Sequence, residues 1–170
     1  MRNLSFTFKV WPVVAALTIG LCYLTQTVAG WFGLELPDQQ NVELVRRVLE
    51  HAFESSRHFA GAAFLVVQVV VIMPVLEEFC FRWLLFKIPL KFLPRRGVVV
   101  WALAAVGSAL FVAAHYLMQP WPDAAFIALF FFGLAQCWLY RRTDRLWCAM
   151  LNHALFNLTN LLLLLVLPCA

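Results

Sequence analysis

The chain has 170 residues, 64% of them hydrophobic and 13% charged, about half the charged share of an ordinary soluble domain. That balance excludes a water-soluble enzyme. A net charge of +4, with no basic stretch interleaved with aromatics, argues against nucleic acid as a partner.

Residues 1–9 are a short polar lead with Arg2 and Lys9, and Val10 to Leu34 predicts a first spanning helix. A cleaved signal peptide would have an apolar core of roughly 7–15 residues, and Thr27-Val28-Ala29 is a poor cleavage site, so the helix is read as retained. Glu35 to Arg57 is the one polar excursion. Val42, Val45, Leu49, Ala52 and Phe53 recur there at helical spacing with Glu43, Arg46, Arg47, Glu50 and Glu54 between them. This predicts an amphipathic helix lying on the membrane or capping the bundle, with His51 and His58 as solvated surface residues. Phe59 to Phe86 is a long second span, followed by a basic loop over 87–96 broken by Pro89 and Pro94. Gly97 to Leu117 is the third span, and residues 118–123 form a tight turn with Pro120 and Pro122. A short, aromatic-rich fourth span runs from Ala124 to Tyr140, a second basic loop covers 141–145, and Leu146 to Pro168 is the last span. The expected fold is all-α: one integral-membrane domain over 1–170, a bundle of five spanning helices and one amphipathic helix. Cys22, Cys80, Cys137, Cys148 and Cys169 lie scattered without a C-x-x-C pair and read as buried small hydrophobes.

The second span carries Glu77, Glu78 and Arg82 in an otherwise apolar run. A charge at the centre of a spanning helix costs about 2.5–3.5 kcal/mol on insertion scales, so three of them mark a candidate functional site. The bland reading is a helix end with charges reaching the membrane surface. Glu78 and Arg82 are one helical turn apart and can neutralise each other. Glu77 points about 100° away with no cation at helical spacing, which leaves it as the unpaired acid and a candidate general base. Pro74, just before it, removes a backbone hydrogen bond and can kink the helix. The third span carries His115, with Phe111 and Ser108 on the same face, and the fifth carries His153 and Asn157 four apart. A lone histidine in a span is usually a packing residue; two histidines, two glutamates and an asparagine on three helices point to a shared site.

The segments EEFCFR, FVAAH and HALFN fit E-E-x-x-x-R, F-x-x-x-H and H-x-x-x-N in that order on successive hydrophobic segments. In this the chain resembles the CAAX-protease and bacteriocin-processing family of intramembrane endopeptidases, as a minimal version with its motif core in 59–168. The resemblance implies Glu77 as general base, with His115 helping it hold and activate a water. It implies His153 and Asn157 as donors to the oxyanion, Glu78 with Arg82 as a structural ion pair, and Phe111 packed under His115. The reaction would be glutamic-type peptide-bond hydrolysis without a covalent intermediate and without a cofactor. A zinc site of Glu77, His115 and His153 is the rival arrangement, disfavoured because H-E-x-x-H is absent. A thiol mechanism through Cys80 or Cys148 is weaker still. The expected partners are the lipid bilayer and a protein or peptide substrate with a hydrophobic tail, processed near its C-terminus in a sorting-type or CAAX-like manner. The second function class is a non-catalytic immunity factor or regulatory scaffold, which would tolerate loss of Glu77. A proton-coupled transporter is disfavoured by the lack of an inverted repeat.

Nine Lys and Arg residues fall on the N-terminal lead and the two basic loops, against Arg46, Arg47 and Arg57 on the other side. The positive-inside rule then predicts a multi-pass protein of the cell inner membrane, its N-terminus cytoplasmic and its C-terminus outside. Reporters fused to the C-terminus check this: alkaline phosphatase should be active and green fluorescent protein dark, and the reverse pattern would sink the orientation.

Overall fold

A segment in lipid must satisfy its backbone internally, and residues this apolar therefore fold as helices. The computed structural model describes residues 2–37, 45–49, 59–94, 96–117 and 123–166, and among these no strand occurs. We label the long helices α1 (Arg2–Trp31), α2 (Phe59–Lys91), α3 (Gly97–Tyr116), α4 (Phe126–Thr143) and α5 (Leu146–Val166). Residues 45–49 are helical, and Leu49 packs with Ala62 and Leu161 in a small core. The rest of the expected amphipathic helix, with His51 and His58, and most of the 118–123 turn lie outside the described residues.

Helices α1, α2, α3 and α5 are long and apolar enough to cross a membrane. The fourth of the five expected spans, α4, is the shortest of the long helices and falls short of that apolarity. This helix has 18 residues, buries Gln136 and carries Arg141 and Arg142 in its last turn. Its position explains the composition, because α4 packs against α1, α2, α3 and α5. Protein shields it where lipid would otherwise have to, so it can hold polar groups that find partners inside the bundle. Asp144 ends α4 in the left-handed conformation at φ 50° and turns the chain directly into α5. At the other end α1 is tied to α5 by Trp11 Nε1 donating to Thr159 Oγ1 at 3.1 Å. Leu17, Tyr23, Phe59 and Phe64 are exposed, as lipid-facing residues should be.

Helix α2 is not uniform. Gln68–Ile72 and Phe79–Lys87 are π-helical, and the α-helical Met73–Glu78 lies between them. Pro74 sits in the first turn of that middle piece, so the sequence supplies the cause of the break. Cys137 and Cys148 are buried as expected, whereas Cys80 is exposed on this helix, a correction that follows from its pointing away from the bundle.

Close approach of α3 and α4 depends on Gly133. A Cβ there would lie 2.7 Å from Ser108 Oγ and 2.9 Å from Ser108 Cβ. Ser108 is itself buried and donates to Ala104 O at 2.8 Å, so it has nowhere to retreat. Gly133→Ala should cost about 1–3 kcal/mol as an overpacking change. Adding Ser108→Gly should recover part of the loss, as read from thermal unfolding of the purified protein.

Candidate active site

The three helices that carry the motifs converge. α2 packs on α5 and α3, which brings its acidic pair against the histidine of α5. Glu78 is fully buried, and so is Arg82 one turn later. Their ion pair, expected from the spacing, is formed at 3.0 Å between Arg82 Nε and Glu78 Oε2. The N–H is not aligned on that oxygen as a hydrogen bond, so the attraction is chiefly electrostatic. Arg82 is held further by its Nη2 donating to Gly133 O at 3.4 Å and by the Phe111 ring, whose centroid lies 4.8 Å from Cζ.

The other oxygen of Glu78 faces α5. His153 Nδ1 lies 2.8 Å from Glu78 Oε1. A carboxylate accepts, so Nδ1–H is the donor, and this sets the ring orientation. The second nitrogen, Nε2, then faces Glu77 Oε2 at 3.5 Å. Glu78 therefore does more than neutralise Arg82, which is the role the spacing suggested: it bridges a guanidinium and an imidazole. Glu77 keeps a partly open side chain, 18% exposed against 4% for His153. The acid that the spacing left without a cation on its own helix thus faces His153 across the helices and is the more accessible of the two glutamates.

His115 lies in the last turn of α3. Its Nδ1 is 2.9 Å from its own helix's Phe111 O, which as a carbonyl can only accept. That leaves Nε2 as the nitrogen available to other groups. Phe111 packs under His115 as expected, with ring centroids 4.5 Å apart, and its edge also meets His153 at 6.1 Å. Phe111 thus stands between the two histidines and under the arginine. Asn157 is directed elsewhere: its Nδ2 donates to Val69 O on α2 at 2.9 Å.

Sequence reasoning missed two contributors on α4. Phe132 meets the His153 ring edge-on at 4.9 Å and closes the apolar side of the site. Gln136 accepts from Asn152 Nδ2 at 3.2 Å, both residues fully buried, and links α4 to α5 next to His153. The signal for this pair was a single glutamine in an aromatic span and an asparagine directly before the histidine. An apolar groove of about 560 Å³ runs between α3 and α4. Its walls include Val112 and Tyr116 from the helix that carries His115, and Phe130 from α4. Among the described residues no three acidic, histidine or cysteine side chains are arranged to hold one metal ion.

A family model of Rce1-like proteins, type II CAAX prenyl endopeptidases, matches residues 59–159, well over half of the chain. The chain belongs to this family. The match begins at the first residue of α2 and ends within α5, so it covers all three motif-bearing helices and α4. No curated protein and no solved structure matches the chain. Membership in a CAAX protease family, with four apolar helices of spanning length, makes this a multi-pass membrane protein of a protease class whose substrates are proteins.

Removing one partner of the buried charge cluster leaves an uncompensated charge. Arg82→Met should destabilise by about 3–5 kcal/mol, and the double change Arg82→Met with Glu78→Gln by clearly less. Thermal unfolding of the three proteins checks it; a double variant as unstable as the single one would contradict the cluster.

Proposed function

We propose that the protein is a glutamic-type intramembrane endopeptidase in which Glu77 activates a water to hydrolyse a peptide bond. The observation that carries this reading is the Glu77–His153 pair. An accessible carboxylate faces an imidazole whose far nitrogen is anchored on a buried, charge-compensated glutamate. A water lying beside the 3.5 Å line between Glu77 Oε2 and His153 Nε2 can contact both groups.

Glu77 takes one proton from that water as its oxygen bonds to the scissile carbonyl carbon. Negative charge then develops on the carbonyl oxygen. In its protonated form His153 donates through Nε2–H to that oxyanion, held in place by its Nδ1–H bond to Glu78. Collapse of the tetrahedral intermediate breaks the C–N bond, and the proton held by Glu77 passes to the departing amine. His115, with Nδ1 tied to Phe111 O, offers Nε2 as a second group to hold the water. No step involves a covalent enzyme intermediate or a cofactor.

The substrate in this reading is a membrane-anchored or exported protein with a hydrophobic C-terminal tail, cut in a sorting-type or CAAX-like manner. The apolar groove between α3 and α4 offers a surface for such a tail, and its lining includes none of Glu77, His115 and His153. The setting is a cell inner membrane with the N-terminus cytoplasmic.

Glu77→Gln keeps the shape of the side chain and removes the base. Cleavage of a tail-bearing membrane peptide by the reconstituted protein should fall by about 10²–10⁴-fold, followed by mass spectrometry of the new termini. Chelator should leave the parent's rate unchanged. Cleavage surviving Glu77→Gln would refute the assignment of the base, and loss on chelation alone would point to a metal mechanism.

A further inference from the structure

The Asn157 amide lies against α2 eight residues before the acidic pair begins, and the backbone there explains why. In the π-helical stretch the N–H of Met73 bonds to Gln68 O, five residues back. The next bond in that register would run from residue 74 to Val69 O. Residue 74 is proline and has no N–H, so the Val69 carbonyl is orphaned by the sequence itself. Asn157 Nδ2 donates to that carbonyl at 2.9 Å. An orphaned carbonyl inside a bundle in lipid has no water to turn to, so a side-chain donor from a neighbouring helix is the remaining solution.

From this coincidence we infer that Asn157 is a positioning residue whose amide replaces the missing Pro74 N–H and fixes the register in which α2 presents Glu77. The inference rests on the protease reading above and deepens it. α5 then holds antiparallel α2 at two points on one face: Asn157 on Val69 and, one turn earlier in α5, His153 on Glu78. Between those points lie the π segment, Pro74 and Glu77. If the upper clamp is released, the π turn can relax toward α-helical register, and Glu77, three residues past the proline, rotates away from His153 Nε2. This assignment differs from the oxyanion role that the H-x-x-x-N resemblance implies, and it leaves His153 as the oxyanion donor.

The test is a double-mutant cycle between the two residues that supply and lack the N–H, made in the full chain reconstituted in phospholipid vesicles. Asn157→Ala, and Asn157→Asp of equal size but without the N–H, should lower kcat about 10–100-fold with KM held within about twofold. Pro74→Ala restores a backbone donor at residue 74. In that background the same Asn157 changes should cost less than about threefold in kcat. The unfolding midpoint, read without any substrate, should show the same coupling.

Equal losses in both backgrounds, in rate and in midpoint, would overturn the inference and return Asn157 to direct contact with the oxyanion. Coupling in the midpoint with equal losses in kcat would reduce the bond to a structural one and overturn the positioning role. Coupling in the midpoint while the parent cleaves no tail-bearing peptide supports the clamp and overturns the protease reading.

Discussion

The buried carboxylate of Glu78 is the constraint on which the rest of the site depends. Taking an ion out of water costs several kcal/mol even after the protein relaxes, and an unpartnered carboxylate inside a membrane bundle is not tolerated. Glu78 meets this by facing Arg82 on its own helix and His153 on α5 at once. The arginine brings the same demand with it, and meets it with the Gly133 carbonyl and the Phe111 ring. Four helices are therefore drawn together by one charge. The orientation of His153, and through it the position of Nε2 beside Glu77, follows from that compensation.

Helix α4 shows how a chain of this size can hold such a cluster. It is the least lipid-like of the long helices, and it packs against each of the others. Its polar and small residues act inward: Gly133 lets α3 approach and gives a carbonyl to Arg82, and Gln136 pairs with Asn152. Phe132 and Phe156 pack as tilted rings 4.5 Å apart, and Phe132 presents an apolar contact to His153. The same shielding that lets α4 carry polar residues makes it a good support for ionisable groups.

The break in α2 has a comparable logic. An α-helix places Glu77 and Glu78 about 100° apart. Both glutamates lie in the α-helical Met73–Glu78 piece and keep that angle, so it is their side chains that reach the two nitrogens of one imidazole, at 3.5 and 2.8 Å, while the π turns on each side set how the piece faces α5. π turns are rare and concentrate at functional sites, because the strained geometry persists only where surrounding contacts hold it. Here those contacts are the His153 ring and the Asn157 amide.

The sequence by itself determined the helical class, the positions of α2, α3 and α5 to within a few residues, and the pairing of Glu78 with Arg82. These are local properties: apolar run length, backbone satisfaction in lipid and one-turn spacing. The packing of Phe111 under His115 was legible for the same reason, since both lie on one helix face. The tertiary structure decided which groups from different helices meet. That Glu78 bridges to His153, that Phe132 and Gln136 complete the surroundings, and that Asn157 reaches Val69 could not be read from spacing, because each contact depends on how two helices rotate against each other. The exposure of Cys80 and the protein-shielded role of α4 belong to the same category. Periodicity gives a helix its faces, but only packing says which face looks at which neighbour, and in this bundle a buried charge and a missing N–H are what fix the choice.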